Sequence, residues 1–207
     1  MNGKERELER YIAGITGTDR AAADAAKKRL DSLAKPPGSL GRLEDIAVKL
    51  AGITGKVCNT LDRRCVIIMC SDNGVVEEGV ASAPKSVTYA QTINFIRGIT
   101  GVAVLAKCSN SDLMVVDVGI DADVEFPCVI NRKIRKSTSN LAKEPAMSRD
   151  EALSAILTGI GMAGEACRKG YRMIGVGEMG IGNTTTSSAV LCALTGIDPD
   201  LAVGKGA

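Results

Sequence analysis

The sequence predicts an α/β protein: a parallel-sheet, Rossmann-like large domain with helices on both faces, plus a small helical domain contributed partly by the amino terminus. Three observations carry that expectation. Short apolar runs at Cys65–Cys70, Leu113–Val118 and Arg172–Val176 have the length and two-sided hydrophobicity of buried parallel strands. Stretches of helical spacing lie between them, which is the alternation of a parallel sheet. Each run ends in polar or acidic residues, and in open α/β sheets ligands collect at the carboxyl ends of strands.

The elements follow in chain order. From Lys4 to Ala34 small apolar and charged residues alternate at helical spacing, with Asp19 as a cap and Ala21, Ala22, Ala25, Leu30 and Leu33 as the apolar stripe. Lys35-Pro36-Pro37-Gly38-Ser39-Leu40-Gly41 breaks this pattern, because paired prolines forbid helix and the glycines permit sharp turning. The break divides the chain into a helical segment, residues 1–34, and an α/β domain, residues 35–207. A helix is expected through Arg42 to Ala51, then the first strand and Ser71-Asp72-Asn73-Gly74. Ser86 to Ile96 reads as a helix, and the second strand carries Asp117 into Gly119-Ile120-Asp121. Ile130 to Lys143 is basic and polar, the composition of an exposed loop. Ser148-x-x-Glu151 is a capping box opening a helix whose face is Leu153, Ile156, Leu157, Ile160, Ala163 and Cys167, and Gly170 stops it.

Composition excludes several functions. The 207 residues carry a net charge of +2 with signs interleaved and only 2% aromatic residues, so neither a basic stripe nor stacking platforms for nucleic acid are present. Histidine is absent, which removes the commonest general base and metal ligand, and no metal and no cofactor are expected. The seven cysteines form no C-x-x-C pair and fall largely in apolar segments, which fits a reducing cytosol. The mixed-charge start and the lack of a long apolar run predict a cytoplasmic protein without a membrane span.

The site is expected at Gly175-Val-Gly-Glu178-Met179-Gly180-Ile-Gly182-Asn183-Thr184-Thr-Thr186, a strand-to-helix junction with the helix starting near Asn183 and closing at Gly196. Free backbone N–H groups and the positive end of the helix dipole favour an anion there, without any lysine. Glu178 stands one turn upstream, badly placed for a phosphate and well placed for a sugar hydroxyl or a developing cation. Asp72 and Asp117 would converge on the same sheet end, although acidic turn residues serve equally as caps or lysine partners. Gly175-x-Gly177-x-x-Gly180 also satisfies the dinucleotide fingerprint, but Glu178 would then set a negative charge against the pyrophosphate.

These motifs resemble the nicotinate-nucleotide–dimethylbenzimidazole phosphoribosyltransferase family. The resemblance rests on Lys35-Pro-Pro-Gly-Ser-Leu-Gly-Arg-Leu-Glu44, Cys70-Ser-Asp-Asn-Gly-Val-Val-Glu-Glu-Gly79, Pro84-Lys-Ser-Val-Thr88 with Gln91, Asp117-Val-Gly-Ile-Asp121, and Gly177-Glu-Met-Gly-Ile-Gly-Asn-Thr-Thr185. It implies transfer of the phosphoribosyl group of nicotinate mononucleotide to 5,6-dimethylbenzimidazole, giving α-ribazole 5′-phosphate and nicotinate in cobalamin lower-ligand synthesis, by a homodimer. Glu178 matches the acidic residue beside the ribose. Gly180, Asn183, Thr184 and Gly206 match the phosphate cradle, and Gln91 and Met179 the benzimidazole pocket. Ala83 stands where some members carry serine, which leaves the accepted benzimidazole-type base open, and Asp72 is counted with the substrate-binding set. The resemblance covers the amino-terminal part of the family, whose general base, a distant glutamate, and phosphate-binding lysine lie beyond Ala207. The chain is therefore expected to be a portion of a longer protein. A non-catalytic nucleotide-binding or assembly module and a nicotinamide-dependent oxidoreductase are the competing readings.

Overall fold

A computed structural model describes residues 2–204 and 206. Arg6–Asp62 forms one compact helical unit, and the chain from Arg63 onward, with the first few residues, forms the other. The helical unit extends past the 34/35 division suggested by the proline break, because α2 (Arg20–Asp31) packs on α3 (Arg42–Thr54). The amino-terminal stretch holds two helices, α1 (Gly3–Ala13) and α2, parted at Gly14–Asp19. Asp19 caps α2 by accepting from the Ala22 N–H at 2.9 Å, and its own N–H donates to the Gly52 carbonyl of α3 at 2.7 Å. Only small residues are buried in these two helices, Ala22 and Ala26 against Ala51 and Gly52.

The larger unit is a four-stranded, fully parallel sheet in the order β3-β2-β1-β4. The strands are β1 (Arg64–Ser71), β2 (Ser111–Gly119), β3 (Val129–Asn131) and β4 (Met173–Met179). Helices cover both faces. On one, Met162 and Ala166 of α6 (Arg149–Arg168) bury Cys65, Ile67, Met114 and Val116. On the other, Phe95 of α4 (Ser86–Arg97) packs with Ile68, Cys70, Val115 and Ile120. The capping box forms: Ser148 Oγ accepts from the Glu151 N–H at 3.2 Å, while Glu151 Oε2 accepts from the Ser148 N–H at 2.7 Å. A short helix, α5 (Gly101–Cys108), capped by Thr100, feeds β2.

The segment expected as an exposed basic loop is not one. Its first residues form β3, and the rest folds back over the sheet's carboxyl ends, burying Ser137 and Asn140. Backbone pairing explains this: Ser137 N–H donates to the Gly119 carbonyl at 2.9 Å and Thr138 N–H to the Asp72 carbonyl at 3.1 Å. A 3₁₀ turn at Gly74–Glu78 follows β1 and presses against the same loop. A Cβ on Gly74 would lie 2.5 Å from the Thr138 carbonyl oxygen and 2.7 Å from the Asn140 nitrogen, both backbone atoms that cannot swing away.

Two stability measurements follow from this packing. Gly74→Ala is expected to lower the unfolding free energy by about 1–3 kcal/mol in denaturant titration, whereas Gly159→Ala, within α6 and with nothing within 4 Å of its Cβ, should raise it by about 0.5–1 kcal/mol. Burial pushes the Cys70 thiol up to about 11 from 9.0, and the carboxylates of Asp117, Glu178 and Asp72 add to the effect. Since the folded pKa is the higher one, this stabilisation is complete below pH 9 and disappears as pH rises toward 11. Cys70→Ala should remove up to about 2 kcal/mol of the alkaline loss of stability between those limits.

Candidate functional site

β4 runs three residues past the apolar segment and ends at Met179, because pairing with β1 continues through Ile68↔Gly177, Met69↔Glu178 and Cys70↔Met179. Tertiary pairing thus overrides the poor strand propensity of Gly175 and Gly177. Alternation along the strand sends adjacent side chains to opposite faces. Met179 packs into the core with Phe95 and Cys70 on the α4 side, and Glu178 remains exposed.

After Met179 the chain turns through Gly180 and Gly182, the latter at φ 83, into α7 (Asn183–Thr195). Three neighbours pin this turn. A Cβ on Gly180 would collide with the Ser71 carbonyl oxygen, so the tract lies directly against the end of β1. Asn73 Nδ2 donates to the Ile181 carbonyl at 2.9 Å, and the Ile181 N–H donates to Thr88 Oγ1 of α4 at 3.1 Å. The Asn183 N–H bonds the Gly180 carbonyl and the Thr186 N–H bonds the Gly182 carbonyl. Among the described residues, Thr184 and Thr185 keep their N–H groups free, as the first turn of a helix does.

Glu178, Asn183, Thr184 and Gly206 line one cleft of about 670 Å³, joined by Val80 and Ser188. Asn183 Nδ2 donates to Glu178 Oε1 at 2.7 Å. A Cβ on Gly206 would lie 2.7 Å from Thr184 Oγ1, so the chain passes close over the helix start. Val80 and Ser188 were not singled out in the sequence. Ser188 was within reach of the pattern, being four residues from Thr184 on one helix face, while nothing local marks Val80.

The remaining expected residues lie elsewhere. Gln91, half-buried on α4 three residues beyond Thr88, accepts from Asn94 Nδ2 at 3.4 Å, and Ala83 lies in the loop before α4. Neither lines the cleft, and Gly180 and Met179 serve in packing beside it. Asp72 is 2% exposed, and its Oδ2 accepts from the Asp121 N–H at 2.8 Å, so it fastens the turn after β2. Asp117 is 1% exposed; it accepts from the Gly119 and Ile120 N–H groups and pairs with Lys133 at 2.8 Å. The expected convergence of three carboxylates on one site therefore resolves into two structural groups and one open one. The Lys85 ammonium beside Asp121 holds that carboxyl below its ordinary range. Among the described residues no cluster of three or more Cys, Asp or Glu is placed to hold a metal ion, and no helix is long and apolar enough to cross a membrane. All seven cysteines are free thiols.

Comparison with known proteins gives a consistent set of relatives. The family model DBI_PRT, described as phosphoribosyltransferase, matches residues 15–207. The chain is 59% identical over 199 residues to the nicotinate-nucleotide–dimethylbenzimidazole phosphoribosyltransferase of Clostridium perfringens strain 13, covering 96% of this chain and 55% of that protein. It is 58% identical over 200 residues to the enzyme so named in Ruminiclostridium cellulolyticum, covering 97% and 57%. The crystal structure of the enzyme so named from Thermus thermophilus superposes with a TM-score of 0.86 at 39% identity, over 90% of this chain and 57% of that one. The chain thus spans about half the length of the relatives it matches.

Lys133→Met is expected to cost about 3 kcal/mol in denaturant unfolding, because it strands the buried Asp117 carboxylate. Lys136→Met, which breaks only the exposed pair with Asp123, should cost less than about 0.5 kcal/mol.

Proposed function

The chain belongs to this phosphoribosyltransferase family, and on that premise we propose that its cleft binds nicotinate mononucleotide for transfer of the phosphoribosyl group to 5,6-dimethylbenzimidazole or a similar aromatic base. The products are α-ribazole 5′-phosphate and nicotinate. The observation that carries this reading is the grouping of Glu178, Asn183, Thr184 and Gly206 around one cleft at the carboxyl end of β4, in a chain 59% identical to a protein of that name.

The geometry supports a division of tasks. The free N–H groups of Thr184 and Thr185, with the Thr184 hydroxyl, receive the 5′-phosphate at the positive end of α7. The ribose then lies toward Glu178, whose negative charge stabilises the cation that develops at the anomeric carbon as the pyridine nitrogen leaves. The electron pair of that glycosidic bond departs with nicotinate, and the base nitrogen attacks the opposite face with inversion. Gln91, Ala83 and Met179 belong to the α4 side, where the resemblance puts the aromatic base. The resemblance assigns the proton lost by the base to a glutamate of the family. A homodimer and a cytoplasmic location are part of the same proposal.

Thermal unfolding with nicotinate mononucleotide tests it, since a ligand that binds only the folded state raises the midpoint. The parent is expected to show a rise and Glu178→Gln a smaller one. Cooperative unfolding with no rise in the parent would defeat the assignment of the cleft.

A further inference from the structure

We propose that Asn183 is the positioning residue for Glu178, and that its side-chain amide sets the carboxylate against the ribose instead of holding the phosphate. This rests on the proposed function of the cleft and assigns one residue within it.

Glu178 is exposed on the last strand of the described sheet. An exposed glutamate samples many rotamers, and fixing one costs side-chain entropy. Asn183 supplies the restraint. Its amide reaches Glu178 Oε1 at 2.7 Å, a short bond to a charged acceptor and the only hydrogen bond to that carboxylate among the described residues.

Asn183 is itself held at two backbone points. Its N–H bonds the Gly180 carbonyl at 3.0 Å, and its carbonyl accepts from Thr186 Oγ1 at 2.9 Å. Gly180 in turn lies against Ser71 at the end of β1. The carboxylate is thereby referenced to the rigid sheet through a short glycine turn.

The same contact argues against the amide as a phosphate ligand. A phosphate on the other amide proton would stand close to the Glu178 carboxylate, and like charges at that separation repel strongly at the effective dielectric of a protein surface. Thr184 and Thr185, one and two residues further on, offer free N–H groups that make no bond to that carboxylate.

The test separates sugar from phosphate by using nicotinate riboside and inorganic phosphate as individual probes. Each is titrated by NMR into the parent chain, Asn183→Ala and Thr184→Ala, after unfolding midpoints have shown that both variants are folded. Asn183→Ala is expected to weaken riboside binding about tenfold, the value of a hydrogen bond to a charged group, while phosphate binding changes by less than about twofold. Thr184→Ala is expected to do the reverse. Equal losses for both probes in Asn183→Ala, or no loss for either, overturns the assignment.

If the parent binds neither probe, the functional reading fails, and the pairing is decided separately on the ¹⁵N-labelled chain. One of the two Asn183 amide protons is expected downfield and slowed in exchange in the parent, and returned to ordinary values in Glu178→Ala. An Asn183 amide indifferent to Glu178→Ala overturns the pairing itself.

Discussion

The site depends on the close approach of chain segments at the carboxyl ends of β1, β2 and β4. Gly74, Gly119 and Gly180 each lie where a single Cβ would strike a neighbouring segment: the 138–140 loop, Ser71 Oγ, and the Ser71 carbonyl respectively. Interiors packed at crystalline density do not absorb such an atom without moving an element. The Gly180 contact fixes where the turn after β4 stands relative to β1, that turn fixes where α7 begins, and the other two hold the neighbouring segments of the same sheet end together. The cleft is thus a consequence of how closely three chain segments approach, and its polar groups inherit their positions from that approach.

Carboxylates at one sheet end have separate fates because they are solvated differently. Asp117 lies against the core and must be satisfied there, by two N–H groups and Lys133. Asp72 turns inward to the Asp121 N–H, with its other oxygen buried and unpartnered among the described residues. Of the three, Glu178 alone faces solvent. On the proposed function, that openness suits it to a charge that appears only as a bond breaks, since a carboxylate already neutralised by Lys or by several amides has less field to offer.

Much of this was legible in the sequence where a signal was local. The capping box at Ser148, the Asp19 cap and the start of α7 at Asn183 rest on contacts three or four residues apart. The three long strands were legible as short apolar runs bounded by polar residues. The burial of residues 137–140, the strand β3 and the continuation of β4 through Glu178 were not, because each is decided by a partner far along the chain. The basic composition of residues 130–143 pointed outward, yet Lys133 is consumed by Asp117 and only the distal lysines are solvated. In the site, pattern placed Asn183 at the helix start, while the direction of its amide depends on strand register, which fixes Glu178, and on the two glycine turns between them.

The strength of the Glu178 field depends on what surrounds it. β4 is the terminal strand of the described sheet, Val176 is 85% exposed, and on α7 Leu194 is 81% exposed. In open water a charge pair at about 4 Å interacts by about 1 kcal/mol, and at an effective dielectric near 20 by about 4 kcal/mol. On the proposed function, the Glu178 carboxylate acts with a field that solvent weakens, and excluding water strengthens its effect on the charge that develops as the bond breaks. Binding through the N–H groups of Thr184 and Thr185 is far less sensitive to the same change, so on that reading binding and rate separate, with solvent access to Glu178 governing the rate.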